Sequence, residues 1–412
     1  MDFFNCLSLV EAINVVRNKT ADLAVGTEYV DLSEALGRIV AEDIAAKADL
    51  PPFARSTVDG FAVRSSDTFG AGEGIPALLN VTGEILMGQG TPIRLKPGQA
   101  AVIPTGGMLP EAADAVVMVE YTDGPDAETV LILKAVAPGE NTIAKGEDLL
   151  AGEIIVQRGR KILPQDIGAL AAAGHMKIAV RHKPRIGIIS TGDELVDVTA
   201  VPKAGQITDI NSYALGAMLE LAGCNVTRLG IIPDQYELLY NTLMQALNCY
   251  DLLIVSGGSS VGARDHTLQA INALGQPGVI LHGVAVKPGK PTIFGMAGSV
   301  PIFGLPGHPV SAMIICEQLV KPVIAALVGQ QPGKHSYRLP ARITRSVASA
   351  PGRDDFLRVR LSYQDGQYLA EPVLGKAGLI STMIQADGVV HIPADKTGLY
   401  DGDFVEVTLF NV

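Results

Sequence analysis

From Lys183-Pro184 onward the chain alternates short, nearly unbroken apolar runs with helical segments, and this rhythm narrows the possible folds most sharply. Arg185-Ile186-Gly187-Ile188-Ile189-Ser190 reads as a strand, as do residues 226–232 and Leu252-Leu253-Ile254-Val255-Ser256. Between them the pattern predicts a helix capped by Asn211 and running to Leu221, one over 236–247 and one over 265–274. Strands this apolar are buried on both faces, which implies a parallel sheet covered by helices. The longest apolar stretch, residues 309–329, carries Glu317, Lys321 and Pro322. Those residues do not suit the middle of a bilayer, so a buried helix and no membrane span is expected.

The rest of the chain has a different texture. Ser8 and Glu11 form an S-x-x-E capping box ahead of Ala12, Ile13, Val15 and Val16, which predicts a first helix. A second short helix is expected over 33–41. Residues 51–150 hold apolar runs of three to five residues between glycine breaks such as Thr105-Gly106-Gly107, the pattern of a small all-β unit. An alanine-rich helix is expected over 165–173, stopped by Gly174. After a linker at Gln330-Gln331-Pro332-Gly333, the runs at 356–361, 389–392 and 404–409 predict a C-terminal β-barrel or sandwich.

Composition excludes several function classes. Apolar residues make up 48% and charged residues 18%, enough for packed cores and too few charges for a disordered chain. A net charge of −11 and the absence of tryptophan argue against a nucleic-acid binder. Cys6, Cys224, Cys249 and Cys316 form no C-x-x-C pair, so they read as buried reduced thiols of a cytoplasmic protein. Residues 1–10 have no basic segment and no signal peptide is expected.

Ligands of open α/β sheets bind beyond the carboxyl ends of the strands, and four unusual clusters fall there. They are Ser190-Thr191-Gly192-Asp193-Glu194; Ser256-Gly257-Gly258-Ser259-Ser260-Val261-Gly262 with Asp265; Lys287-Pro288-Gly289-Lys290-Pro291; and residues 304–311, with His308 and Ser311 opening a helix. Asp209 and Asp234 also follow strands. Neither the P-loop nor the dinucleotide G-x-G-x-x-G is present. Glycines after strands let backbone N–H groups close on an anion. Lysines supply full positive charge to an oxyanion, and aspartates are hard ligands suited to Mg²⁺. Each cluster alone also reads as a turn, a cap or a solvated face; acids and lysines together along one sheet edge are what turns do not require. Asp59-Gly60 and Lys145-Gly146-Glu147-Asp148 likewise read either as plain turns or as site residues. The seven Lys and Arg of residues 334–360 read as a solvated barrel face, with Arg353 within possible reach of an oxyanion.

Taken together, Ser56–Gly60, 146–148, 190–195, 209–211, 256–265, 287–291 and 304–312 occur in the order of a known family. The chain resembles the molybdopterin molybdenumtransferases, the molybdenum insertases related to the insertase part of gephyrin. The resemblance implies an α/β domain of the molybdopterin-binding type at 184–330, a helical dimerisation domain split between 1–50 and 151–183, an inserted β domain at 51–150 and a C-terminal β-barrel at 334–412. It implies a homodimer that inserts molybdate into adenylylated molybdopterin with Mg²⁺-dependent loss of AMP. A molybdopterin adenylyltransferase and molybdoenzyme-delivery proteins are the implied partners.

Position by position, Asp234 and Asp265 match the acids tied to Mg²⁺ and nucleotide hydrolysis. Lys287, Lys290, Ser311, Arg353 and Ser381 match positions associated with molybdate, and Thr105, Ser259 and Pro291 match further substrate-binding positions. Glu194, Asp59 and Asp148 match acidic pocket residues needed for activity, the last two reaching the pocket from the partner chain. The sequence departs from the family pattern at Ile143-Ala144-Lys145, where a basic run is reduced, and at Val58, Gly283 and His308. Two other readings remain: the adenylyltransferase reaction, which residues 184–330 alone would fit, and a non-catalytic scaffold of the gephyrin kind.

Overall fold

The computed structural model describes residues 6–124, 127–257, 266–331 and 338–410. Its centre is a six-stranded sheet in the order Asn225–Ile232, Arg185–Thr191, Leu252–Ser256, Val300–Leu305, Ile293–Ala297, Pro277–His282. The first four strands are parallel, as the apolar runs imply. Ile293–Ala297 runs antiparallel to both of its neighbours, Val300–Leu305 and Pro277–His282, so the sheet is mixed. Residues 293–305 form a hairpin turning at Gly298, a local reversal that apolar runs do not distinguish from a parallel strand.

Alternate residues of the strand Leu252–Ser256 enter different cores. Leu252 and Ile254 pack with Leu215, Leu219 and residues of the long C-terminal helix of this domain. Leu253 and Val255 pack with Leu239, Leu243, Ala270 and Ile271 on the opposite face. That two-sided burial is why the strand has no polar alternation. Residues Pro309–Leu327 are helical throughout and, by length and composition alone, are long and apolar enough to cross a membrane. Here 61% of that stretch is buried within the protein, and its charges pair as Glu317–Lys321 at 2.8 Å. It is a core helix.

The capping box forms as the sequence predicts. The helix Leu9–Thr20 starts at Ser8, whose side chain accepts the Glu11 N–H while Glu11 accepts the Ser8 N–H at 2.9 Å. Leu9, Ala12 and Val16 then join the core of the α/β unit. The chain next pairs Thr27–Asp31 with Lys177–Arg181 and Ile44–Ala45 with Ile154–Val156, closing the flanks of the segment between them. The expected helix over 33–41 is only a 3-10 turn, Leu32–Glu34. The helix Pro164–Ala172 and its glycine stop are present, Gly174 having φ +75°.

Within the flanks lies a six-stranded sheet ordered Ala115–Met118, Gly60–Val63, Gln99–Ile103, Ala77–Glu84, Thr129–Ile132, Thr122–Asp123. Near the C-terminus, Asp354–Gln364 pairs with both Gln367–Pro372 and Gly388–Ile392. With Arg338–Ile343 and Phe404–Leu409 this closes a five-stranded barrel. The short strand Val286–Lys287 of the α/β unit adds itself to the barrel in parallel, placing Val286 opposite Asp354 and Lys287 opposite Asp355. The expected linker starts at Gln330 and Gln331, with Gln331 held to the Gly159 carbonyl at 2.9 Å; Pro332 and Gly333 lie outside the described residues.

The cysteines differ in part from expectation. Cys224 and Cys316 are buried, and burial pushes both thiols up to about 12. Cys249 is exposed and Cys6 half-buried. Cys249 lies in the turn following the helix Tyr236–Ala246.

Candidate active site

Four parallel strand ends present a polar floor. Ser190 donates to Asp209 at 2.7 Å, and the other Asp209 oxygen accepts the Ser212 N–H at 3.2 Å. Asp209, 5% exposed, therefore caps the helix Asn211–Leu221. Asn211 is not the cap the sequence suggests. It is the first helical residue, and its side-chain amide donates to Ser256 at 2.8 Å and to the Gly307 carbonyl at 2.9 Å. Its Oδ1 is buried without a hydrogen-bond partner. Asp234 is half-buried, accepts the Thr191 hydroxyl at 2.7 Å and is fixed through its own N–H by Asp193 at 3.0 Å. Glu194 is exposed, immediately before the paired strands Leu195–Val196 and Ile207–Thr208. Ser259 and Asp265 lie outside the described residues.

Gly257 follows the strand Leu252–Ser256 with φ +102°. A Cβ there would lie 2.2 Å from the Thr191 carbonyl oxygen, so only glycine lets these two strand ends close up.

A cationic rim adjoins this floor. Lys287 pairs with Asp355 at 2.6 Å, rather than standing as a solvated turn residue. Gly289, at φ +127°, brings the loop against the helix Pro309–Ile315: a Cβ would lie 2.6 Å from Ile315. Lys290 is exposed, its carbonyl accepting the Val284 and Thr292 N–H groups, and Pro291 is half-buried. Ser311 is buried in the first turn of that helix. His308 occupies the helix N-cap without a capping bond and packs near Gly378. Val310 N–H donates to the Ala377 carbonyl, which draws in the loop leading to Ser381, the exposed first residue of the helix Ser381–Ile384. Arg353 precedes the barrel strand, and its Nε is buried without a hydrogen-bond partner.

The arginine-rich run holds more than a solvated face. Arg358 is 8% exposed, donates to Thr382 at 2.6 Å and to the Gly375 carbonyl at 2.9 Å, and so clamps the loop carrying Ser381. Burial holds its guanidinium below the usual arginine range. Its isolation between Val389-facing strand neighbours and the 375–382 loop is a long-range feature that sequence spacing does not reveal.

A third group lies on the inserted β unit. Asp59 accepts the Thr105 N–H at 2.7 Å and the Thr105 hydroxyl at 3.0 Å, which hold its carboxyl below the usual range. Gly60 is the first residue of a strand, so Asp59-Gly60 is no hairpin turn. Asp148 is exposed beyond the turn at Gly146, its N–H on the Leu50 carbonyl. The pairing of Arg55–Ser56 with Thr142–Ile143 joins the two stretches that lead into these acids. Among the described residues no strand pairing links 51–150 to 184–410.

Comparison with known proteins accounts for nearly the whole chain. Residues 7–174 match the MoeA N-terminal region (domain I and II), 187–326 the probable molybdopterin binding domain and 340–410 the MoeA C-terminal region (domain IV). The molybdopterin molybdenumtransferase of Haemophilus influenzae is 34% identical, over 93% of this chain and 94% of its own. This chain belongs to the MoeA family. The Bacillus subtilis molybdopterin molybdenumtransferase is also 34% identical, over 93% and 90% of the two chains. The crystal structure of the molybdopterin biosynthesis moeA protein from Pyrococcus horikoshii OT3 superposes with TM-score 0.86 at 31% identity, covering 98% of this chain and all of that one. In this MoeA fold Asp209 and Asp234 accept the adjacent hydroxyls of one strand end, Ser190 and Thr191, and Lys287 lies at the seam between the α/β unit and the barrel, where Arg353 precedes the barrel strand.

Proposed function

We propose that the chain is a molybdopterin molybdenumtransferase that inserts molybdate into adenylylated molybdopterin and releases AMP. The observation that carries this reading is the segment 304–311. Its Gly307 carbonyl is bound by Asn211 of the acid floor, and its Val310 N–H is bound to Ala377 beside the cationic rim. One short stretch of chain therefore joins a nucleotide-and-metal surface to an oxyanion surface.

Molybdate is a dianion, so Arg353, Lys290, Lys287 and the Ser311 and Ser381 hydroxyls are chemically suited to hold it. The unpartnered Arg353 Nε supports this, because a buried donor left unpaired is costly and an oxyanion would satisfy it. The unpaired Asn211 Oδ1 would be satisfied by an N–H of the substrate rings. Exchange of molybdate oxygens for the two dithiolene sulfurs releases oxygen as water, which requires protons that positioned carboxylic acids deliver. Glu194 and Asp148 are the candidates, while Asp59, held as a carboxylate by Thr105, is the charged acid of the pocket. We assign the last two to the site of a second copy, so that the working unit is a homodimer.

Among the described residues no three His, Cys, Asp or Glu side chains form a ready-made metal cage. Mg²⁺ takes one or two carboxylates and completes its shell with water and substrate phosphate, and the Asp234 carboxylate is a hard oxygen donor of that kind. Asp234 would hold it, with Asp265 as the second acid. When bound, the ion supplies charge stabilisation to the departing phosphate. Asp234 is kept ready by Thr191 and Asp193, which fix its side chain and backbone. The unpaired thiols fit the cytoplasmic setting we assign.

Incubation of the purified chain with adenylylated molybdopterin, Mg²⁺ and molybdate tests the assignment. AMP and active cofactor should form together and only when molybdate is present. Attachment of nucleotide to molybdopterin from ATP, without molybdate, would instead establish the adenylyltransferase reaction. Absence of all these products from folded protein would establish the scaffold.

A further inference from the structure

We propose that Asp355 is a positioning residue for molybdate, acting through Lys287. The inference rests on the oxyanion site read above and adds a residue to it.

Lys287 ends the short strand Val286–Lys287 with its side chain half-exposed, and a free lysine there would spread over many rotamers. Asp355 prevents this. Asp355 is 5% exposed, and its Oδ2 takes both the Lys287 ammonium at 2.6 Å and the Ser349 hydroxyl at 3.0 Å. Ser349 is itself fixed by its N–H on the Thr397 carbonyl at 2.8 Å. The backbones are locked as well: Lys287 lies opposite Asp355 in the parallel pairing, and the Asp354 N–H donates to the Ala285 carbonyl at 2.9 Å.

The arrangement has a chemical consequence. An ammonium has three donors, and Asp355 Oδ2 takes one. Two donors remain, and the backbone register sets Lys287 opposite Asp355, two residues along the strand from Arg353, whose Nε is buried without a partner. The pair carries no net charge, so it contributes a directed hydrogen bond rather than general attraction. That favours an anion seated in one geometry over any diffuse anion. A pair serving only to join barrel and α/β unit would not need its ammonium left half in solvent.

The test is AMP release by the full-length chain as a function of molybdate concentration, in Asp355→Ala, Asp355→Asn, Ser349→Ala, Lys287→Ala and the Lys287→Ala/Asp355→Ala double variant. Asp355→Ala should raise the half-saturating molybdate concentration roughly tenfold with a much smaller change in kcat. Asp355→Asn, which keeps an acceptor without the charge, should fall between it and wild type. In the Lys287→Ala background the second substitution should add nothing. If Asp355→Ala does not fold, Ser349→Ala carries the test, with a rise of roughly two- to threefold. Unchanged half-saturation in Asp355→Ala, or an equal rise in the Lys287→Ala background, would overturn the inference while leaving the insertase reading intact. AMP release by wild type that ignores molybdate would overturn both.

Discussion

Asp234→Asn is expected to lower molybdate-dependent AMP release about 10²- to 10³-fold while leaving the fold in place. The side chain sits at the end of a parallel strand, half-buried, with the Thr191 hydroxyl on one carboxylate oxygen. An amide keeps that hydrogen bond and the shape of the residue. It removes the negative charge, which is what a hard cation and a departing phosphate require. The Asp193 contact is to the Asp234 backbone N–H and is untouched by the substitution. A melting temperature near wild type, together with lost AMP release, separates chemistry from folding. Wild-type activity in Asp234→Asn would remove Asp234 from the site.

Gly257→Ala is expected to cost about 3 kcal/mol of stability and to abolish activity even in whatever fraction folds. Two penalties coincide. The residue sits at φ +102°, where a side chain is strained, and the new Cβ would lie 2.2 Å from the Thr191 carbonyl oxygen. That oxygen cannot move aside easily, because Arg185–Thr191 is paired on both edges, to Asn225–Ile232 and to Leu252–Ser256. Any relaxation would displace Thr191 and with it the Asp234 carboxylate. Gly90→Ala is the control: φ there is not positive, and nothing lies within 4 Å of the added Cβ. Thermal melts of the two variants should differ by many degrees. Equal melts would mean the two strand ends are not in the contact described.

The sequence made the local elements readable and left their long-range partners hidden. Leu252–Ser256 was readable because burial on both faces removes polar alternation from the sequence itself. Ser8 with Glu11, and Gly174, are chemical punctuation, and the capping box and the glycine turn appear where that chemistry demands. The helix over 33–41 did not form because the adjacent residues Ile39 and Val40 enter different cores, that of the α/β unit and the flanking one, through isolated bridges to Lys161 and Val180. Asn211 is a good cap by type, yet Asp209 reaches the Ser212 N–H and frees Asn211 to tie two loops together. The clusters at 190–194, 209–211 and 287–291 could be located because glycines, acids and lysines there exceed what turns need. Their partners could not: Asp355 lies 68 residues beyond Lys287, and Arg358 lies 24 before Thr382. Only closure of the barrel and its seam with Val286–Lys287 brings those groups together. A count of charges in 334–360 gives no hint that one arginine of the run is buried.

The most direct measurement of the central claim, that the acid floor and the cationic rim form one site for a tetrahedral metal oxide beside a nucleotide, is anomalous scattering from crystals of the full chain soaked in tungstate. The expected result is a tungsten peak within hydrogen-bonding distance of Lys287, Arg353 and Ser381, lost in Arg353→Ala. A peak bound elsewhere on the protein, with that rim left empty, would contradict it.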